Sequence, residues 1–215
     1  DEEALRQAVA AEAGPILDAA PQTEGFRETA WWSQTRQEII ENVVDSVVAL
    51  GNDAAYEFLD SEVSFGFNSP PLVIEKEGDQ LRLRGFIDRV DRTAGGRIRI
   101  IDYKLAGSSS YQKRHFAEGK RLQLPLYALA AQQTLHLGGV KDGFYWHFQN
   151  IDDNNFTLAK ADGGVEGAIE TAVDHAWDIV QGVREGRFFP RPPEQGCPDY
   201  CPAASFCWQY RPRGF

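Results

Sequence analysis

Between Trp31 and Leu50 apolar residues return every three to four positions. Ile39, Ile40, Val43, Val44, Val47 and Val48 share one side of a 3.6-residue period. That predicts an amphipathic helix, with Gly51 as its stop. Before it, residues 1–28 are rich in Ala and Glu but broken by Gly14-Pro15, Pro21 and Gly25, which predicts short helical pieces. Asp53 to Leu59 reads as a further helical turn. The period then changes to two: Glu62 to Phe67 and Leu72 to Glu75 read as strands around Ser69-Pro70-Pro71. The stretch LRLRGFIDRVDRTAGGRIRIIDYK, Leu81 to Lys104, reads as two alternating strands joined through Thr93-Ala94-Gly95-Gly96, a hairpin. Residues 106–110 are small and predict a flexible segment. Leu122 to Leu137 is helical by spacing up to Gly138-Gly139, with Pro125 in the first turn where a missing N–H costs little. Val140 to Gln149 is an aromatic strand that Phe156 to Lys160 can pair with. Val165 to Val183 forms a second long helix, with Ile169, Val173, Trp177 and Val180 as its seam and Gly186 at its end. Phe188 to Pro193 is extended. Helices bracket strands on both sides, so the expected fold class is α/β, with a mixed β-sheet core flanked by helices.

Composition alters this picture in three places. The 215 residues suffice for one sizeable core, and no run is long or apolar enough to span a bilayer. There is no Met, and the chain opens Asp1-Glu2-Glu3; the expectation is a piece cut from a longer, cytoplasmic polypeptide. The net charge of −10 argues against a nucleic-acid binder, but its distribution does not. Leu81 to Arg121 holds eleven Lys and Arg against four Asp and Glu, a basic island. Within it Lys113, Arg114, Lys120 and Arg121 are candidates for phosphate contact.

The candidate chemistry lies at the far end of the hairpin. Asp102 and Lys104 are two apart on one strand and so project from the same face. Asp88 lies fourteen residues before Asp102, on the other strand. Two carboxylates and a lysine beside a sheet are what a divalent-metal phosphodiesterase needs: oxygen ligands for Mg²⁺ or Mn²⁺, and a cation for the developing charge. Asp91 faces away from Asp88 in a regular strand, so a salt bridge to a neighbouring Arg is its expected role. Three cysteines, Cys197, Cys201 and Cys207, crowd into eleven residues. An odd number in a tight cluster reads as soft-metal ligation in a reducing compartment rather than as disulfides. A Cys₃His zinc site using His175 or His147 is one alternative; plain buried thiols are the other.

Gly85-Phe86-Ile87-Asp88 and Asp102-Tyr103-Lys104 resemble the two halves of the PD-(D/E)XK nuclease motif, specifically in the RecB/AddB type found on bacterial helicase–nucleases. The resemblance covers roughly residues 30–212. It implies a restriction-endonuclease-like sheet and a metal held by Asp88, Asp102 and the Tyr103 carbonyl, with Lys104 as the catalytic cation. Glu62 resembles the family's glutamate before the first core strand, orienting site waters or Lys104; a surface glutamate is the other reading. Gln123-Leu-Pro-Leu-Tyr127 matches the family's Q-x-x-x-Y element, with Gln123 and Tyr127 contacting DNA or bracing the site. The cysteines resemble three ligands of a [4Fe–4S] cluster whose fourth lies far upstream in the family, so the cluster belongs to the full-length protein and not to these residues alone. No His precedes His115, although the family's first metal ligand is a histidine on an early helix.

The implied function is a Mg²⁺-dependent, exonuclease-like domain acting on single-stranded or unwound DNA beside a helicase subunit or domain, in double-strand break repair, with no membrane role. Residues 1–195 would form the nuclease domain, and 196–215 a cysteine tail packed on it. The rival reading is a catalytically silent DNA-binding or partner-docking module that kept the fold.

Overall fold

The computed structural model describes residues 2–105, 111–153, 156–193 and 196–212. The segment 106–110, read as flexible, and part of the turn before Phe156 lie outside them. Two helices, α1 (Glu2–Thr23) and α2 (Trp32–Gly51), lead into β1 (Glu57–Phe65). Then come β2 (Leu72–Lys76), β3 (Asp79–Leu83), β4 (Gly85–Arg92) and β5 (Ile98–Lys104). After them follow α3 (Lys113–Ala117), α4 (Gln123–Gln133), β6 (Val140–His147) and α5 (Gly164–Arg184). The main sheet runs β1-β4-β5-β6. Its first two pairings are antiparallel, while β5 and β6 are parallel. The mixed sheet with flanking helices is thus the architecture that the hydrophobic pattern predicts. The chain divides into two compact units, Asp1–His175 and Ala176–Phe215.

Four boundaries differ from the sequence expectation, each because tertiary packing overrides local preference. The N-terminal pieces are one continuous helix with Pro15 and Pro21 inside it. A proline removes one backbone bond and costs roughly 3 kcal/mol in a helix interior. Contacts from α2 brace the helix instead: Arg36 donates to the Gly14 carbonyl (3.2 Å) and to Asp18 (2.7 Å). Asp53 to Leu59 is not a helical turn, because Glu57 onward pairs with β4 up to Arg92. Leu81–Leu83 do not belong to the central hairpin; they pair with β2 in a separate two-stranded sheet, and β4 starts afresh at Gly85. Finally, α4 stops at Gln133. The amides of Leu135 and Leu137 reach back to Ala130 and Ala131 in widened turns, and His136 sits at φ 52°. That unwinding delivers Val140 beside Ile98, whose amide donates to the Gly139 carbonyl (3.0 Å). The pairing expected of Phe156 to Lys160 shrinks to one bridge, Phe144 with Thr157, followed by a 3₁₀ turn that buries Leu158.

Both faces of the sheet are covered. Ile101, Phe144 and Trp146 pack with Leu50 of α2 on one face. On the other, α4 lies on β5 and β6, where Ile98 and Ile100 are fully buried. Burying each such side chain contributes about 2 kcal/mol. In the second unit the chain closes a loop: the Cys197 amide donates to the Arg211 carbonyl (2.5 Å), and the Arg211 amide to the Cys197 sulfur (3.5 Å). Among the described residues no helix is long and apolar enough to cross a membrane.

Candidate active site

The β4–β5 hairpin turns at Thr93 to Arg97 and pairs from Arg92 with Ile98 as far as Arg89 with Ile101. Beyond that point the strands part, β4 continuing against β1 and β5 against β6. One step past the last pair stand Asp88 and Asp102. They are opposite one another and on the same face as Val90 and Ile100, since opposed residues share a face. The ladder bond missing at this step is replaced by a side chain: Asp88 Oδ2 accepts the Tyr103 amide at 2.7 Å. Divergence of the two strands therefore creates the site, and Asp88 fixes its width.

Asp102 is 1% exposed and forms an ion pair with Lys104 through Oδ2, while its buried Oδ1 has no hydrogen-bond partner. Burial pushes the Asp102 carboxyl up to about 6; Lys104 opposes that rise, and the nearby Asp88 adds to it. Lys104 then reaches Gln123 at the start of α4, donating to its Oε1 (3.3 Å), and Gln123 donates to the Tyr127 hydroxyl (3.0 Å). Four of the expected site residues thus form one relay, Asp102–Lys104–Gln123–Tyr127. The relay is anchored by close packing. A Cβ at Gly85 would lie 3.0 Å from both the Phe65 and Tyr127 rings, so this position of the Gly-Phe-Ile-Asp element needs glycine for space.

Glu62 is not a residue preceding the first strand; it lies inside β1 in a left-handed conformation (φ 50°) and is exposed. By register it falls between the pairs Ser61–Arg89 and Val63–Ile87, level with Asp88. Glu62, Asp88 and Asp102 therefore stand in a row across three strands. Asp91 behaves as the alternation implied. It is buried on the opposite face, bridged by Arg89 (2.7 Å) and Arg99 (2.8 Å).

Two contributors were not singled out from sequence. Tyr145, opposite Asp102 in the parallel register, and Tyr111 hold the Lys104 ammonium over their rings at 5.4 and 5.9 Å. Tyr111 also stacks edge-on with His147, the register partner of Lys104, and lies under Arg121 (4.6 Å). The aromatic run of β6 carried that signal, but only the parallel register with β5 reveals it. The basic candidates are less free than their charges suggested. Lys113 pairs with Asp162 and Lys120 with Glu118, both at 2.6 Å, while Arg114 is exposed.

Among the described residues no three His, Cys, Asp or Glu side chains gather as a metal-ligand group. The expected iron–sulfur ligands Cys197, Cys201 and Cys207 are free thiols in successive tight turns, so the cluster finds no support here. The zinc alternative with His175 or His147 finds none either, because no such ligand group gathers among the described residues. The hairpin carboxylates fit a hard divalent cation better. Mg²⁺ takes oxygen ligands, often one or two carboxylates, and Asp102 Oδ1 is a buried oxygen with no other partner.

Paired carboxylates and a lysine where two strands diverge, on a mixed sheet with helices on both faces, define a nuclease class of fold with restriction-endonuclease-like architecture. The family model of the PD-(D/E)XK nuclease superfamily matches residues 1–208, and the chain belongs to that superfamily. It is also 33% identical over 85 residues to an ATP-dependent helicase/deoxyribonuclease subunit of Streptococcus pneumoniae (strain Hungary19A-6). The exonuclease/helicase subunit RexB of S. pneumoniae serotype 4 (strain ATCC BAA-334 / TIGR4) matches equally. Those matches span 39% of this chain and only 8% of either relative.

Proposed function

We propose that this chain is a Mg²⁺- or Mn²⁺-dependent deoxyribonuclease domain, exonuclease-like, that cleaves DNA delivered by a helicase subunit or domain in the cytoplasm during double-strand break repair. The observation that carries the reading is the convergence of Asp88 and Asp102 on one face, with Lys104 held between Asp102 and Gln123. In this reading Asp88, Asp102 and the Tyr103 carbonyl hold the cation. The chemistry a bound cation supplies is neutralisation of the phosphate and acidification of a water. Lys104 positions that water or stabilises charge growing on the phosphate oxygens. Gln123 keeps the ammonium aimed, and Tyr127 holds Gln123. Glu62, level with Asp88, orients site waters. Residues 1–195 act as the nuclease domain with 196–215 as its tail, and Lys113, Arg114, Lys120 and Arg121 meet phosphates. The helicase connection is supported by the similarity to the pneumococcal helicase–nuclease subunits.

A second reading, a silent module that grips DNA or a partner, is favoured by one observation: among the described residues no third His, Cys, Asp or Glu side chain gathers with the carboxylate pair. End-labelled single-stranded DNA incubated with Mg²⁺ or Mn²⁺ separates the two. Cleavage by the native chain that Asp102→Ala abolishes supports the nuclease. Binding without cleavage by either protein supports the silent module.

A further inference from the structure

Two large aromatic side chains near the site are left outside the core. Phe86 is 43% exposed and Phe67 46%, and their rings stack at 4.6 Å between centroids. The Arg84 guanidinium lies 5.0 Å from the centre of the Phe67 ring. Phe86 is two residues from Asp88 on β4, so it shares the face of the carboxylates, about 7 Å along the strand. Its partner on β1 is Ser64, a small residue that leaves the ring uncovered. Phe67 follows Gly66, whose φ of +78° favours glycine and whose Cβ, if present, would fall 2.5 Å from the Arg84 Cβ. The Gly66 amide also donates to the Pro70 carbonyl (3.0 Å). Close approach of the two backbones thus fixes Phe67 and Arg84 in place before any ligand arrives.

The geometry points to Phe67, Phe86 and Arg84 as a stacking platform for the unpaired bases of a single strand whose phosphodiester lies over Asp88 and Asp102. This rests on the nuclease reading and adds the residues that grip the unpaired bases. Aromatic faces beside a guanidinium match a nucleobase and its phosphate, and every base offers a π-face, so the grip is tolerant of sequence. Base faces in a duplex are already stacked on each other. The platform therefore selects unpaired over paired strands, which phosphate contacts alone do not do.

The test uses the full chain with Phe67→Leu and Phe86→Leu, which keep apolar bulk and remove the ring face. Circular dichroism checks folding. Affinity is measured for a single-stranded oligonucleotide carrying 2-aminopurine and for a blunt duplex, with Ca²⁺ in place of Mg²⁺. We expect each variant to weaken single-strand binding between about fivefold and a hundredfold, to reduce the stacking-induced change in 2-aminopurine fluorescence, and to leave duplex binding unchanged. Equal losses for both forms, or folded variants that bind single strands as well as the native chain, overturn the platform. If such variants also cleave single strands with Mg²⁺ as the native chain does, the nuclease reading stands and another occupant, such as a partner protein, takes the aromatic pair. If the native chain neither binds nor cuts any DNA, both fall together.

Discussion

Replacing Asp102 with Asn should stabilise the protein while abolishing cleavage. Asp102 is 1% exposed, and its carboxyl is pushed up to about 6 from an ordinary 3.8. A carboxyl whose folded value lies above its unfolded value binds its proton more tightly when folded. Its contribution to stability is therefore complete below the unfolded value and is lost as pH rises through about 6. Two units correspond to about 3 kcal/mol at roughly 1.4 kcal/mol per unit. Asparagine imitates the neutral acid and escapes that loss. Asp102→Asn should then gain about 3 kcal/mol over the native chain at pH 8 and under about 1 kcal/mol at pH 4. For a chain of this size the pH 8 gain corresponds to roughly 6–12 °C in Tm. Thermal unfolding in EDTA at the two pH values measures it, because only the difference between the two proteins is needed and other titrations cancel. A divalent cation should reverse the order, stabilising the native chain by mass action and not the variant. A variant less stable than the native chain at both pH values, or a difference independent of pH, would refute the reasoning.

Asp91→Asn should be as harmful as Asp102→Asn is helpful: it leaves Arg99 buried and half of its pairing lost, at about 3–5 kcal/mol in denaturant unfolding. Gly85→Ala forces a methyl against Phe65 and Tyr127 and should lower stability by about 1–3 kcal/mol, seen as a lower Tm. Lys104→Ala should reduce kcat by about 10²–10³-fold. Gln123→Ala, which removes only the acceptor that aims the ammonium, should reduce it about tenfold in the same single-strand cleavage assay.

Period-two alternation located β4 and β5, and the Asp-Tyr-Lys triplet could be placed on a strand end because alternation alone sets which residues share a face. What alternation cannot supply is the partner of each strand. Leu81–Leu83 alternate as well as Gly85–Arg92 do, yet they pair with β2, a choice made by non-local burial. The same limit hid Tyr145 and the placement of His147 beside the site. Their sequence says strand, but only the parallel register with β5 sets them beside Asp102 and Lys104. Helix length was overread at α4 and underread at α1 for one reason: local propensity is worth tenths of a kcal/mol per residue, and packing overrides it. The cysteine spacing names candidate ligands only, since close sequence spacing does not by itself bring three sulfurs to one point.

Asp91 and Asp102 contrast a carboxylate whose partners are all supplied by the fold with one that the proposed function would use. Both are buried, both lie on the central hairpin, and they face opposite sides of one sheet. Both oxygens of Asp91 are taken, one by Arg89 and one by Arg99, and Arg99 is itself held by Asp53 and covered by the Tyr56 ring at 4.0 Å. Asp91 thus has both of its oxygens already occupied by cations. Asp102 has one cation at one oxygen and nothing at the other, and a second carboxylate stands opposite it. A buried acid held about two units above its ordinary value is a standing destabilisation of about 3 kcal/mol at neutral pH. A fold indifferent to chemistry would relieve it with a single substitution to Asn. Under the proposed function a bound cation beside Asp102 makes the ionised form favourable and removes that cost.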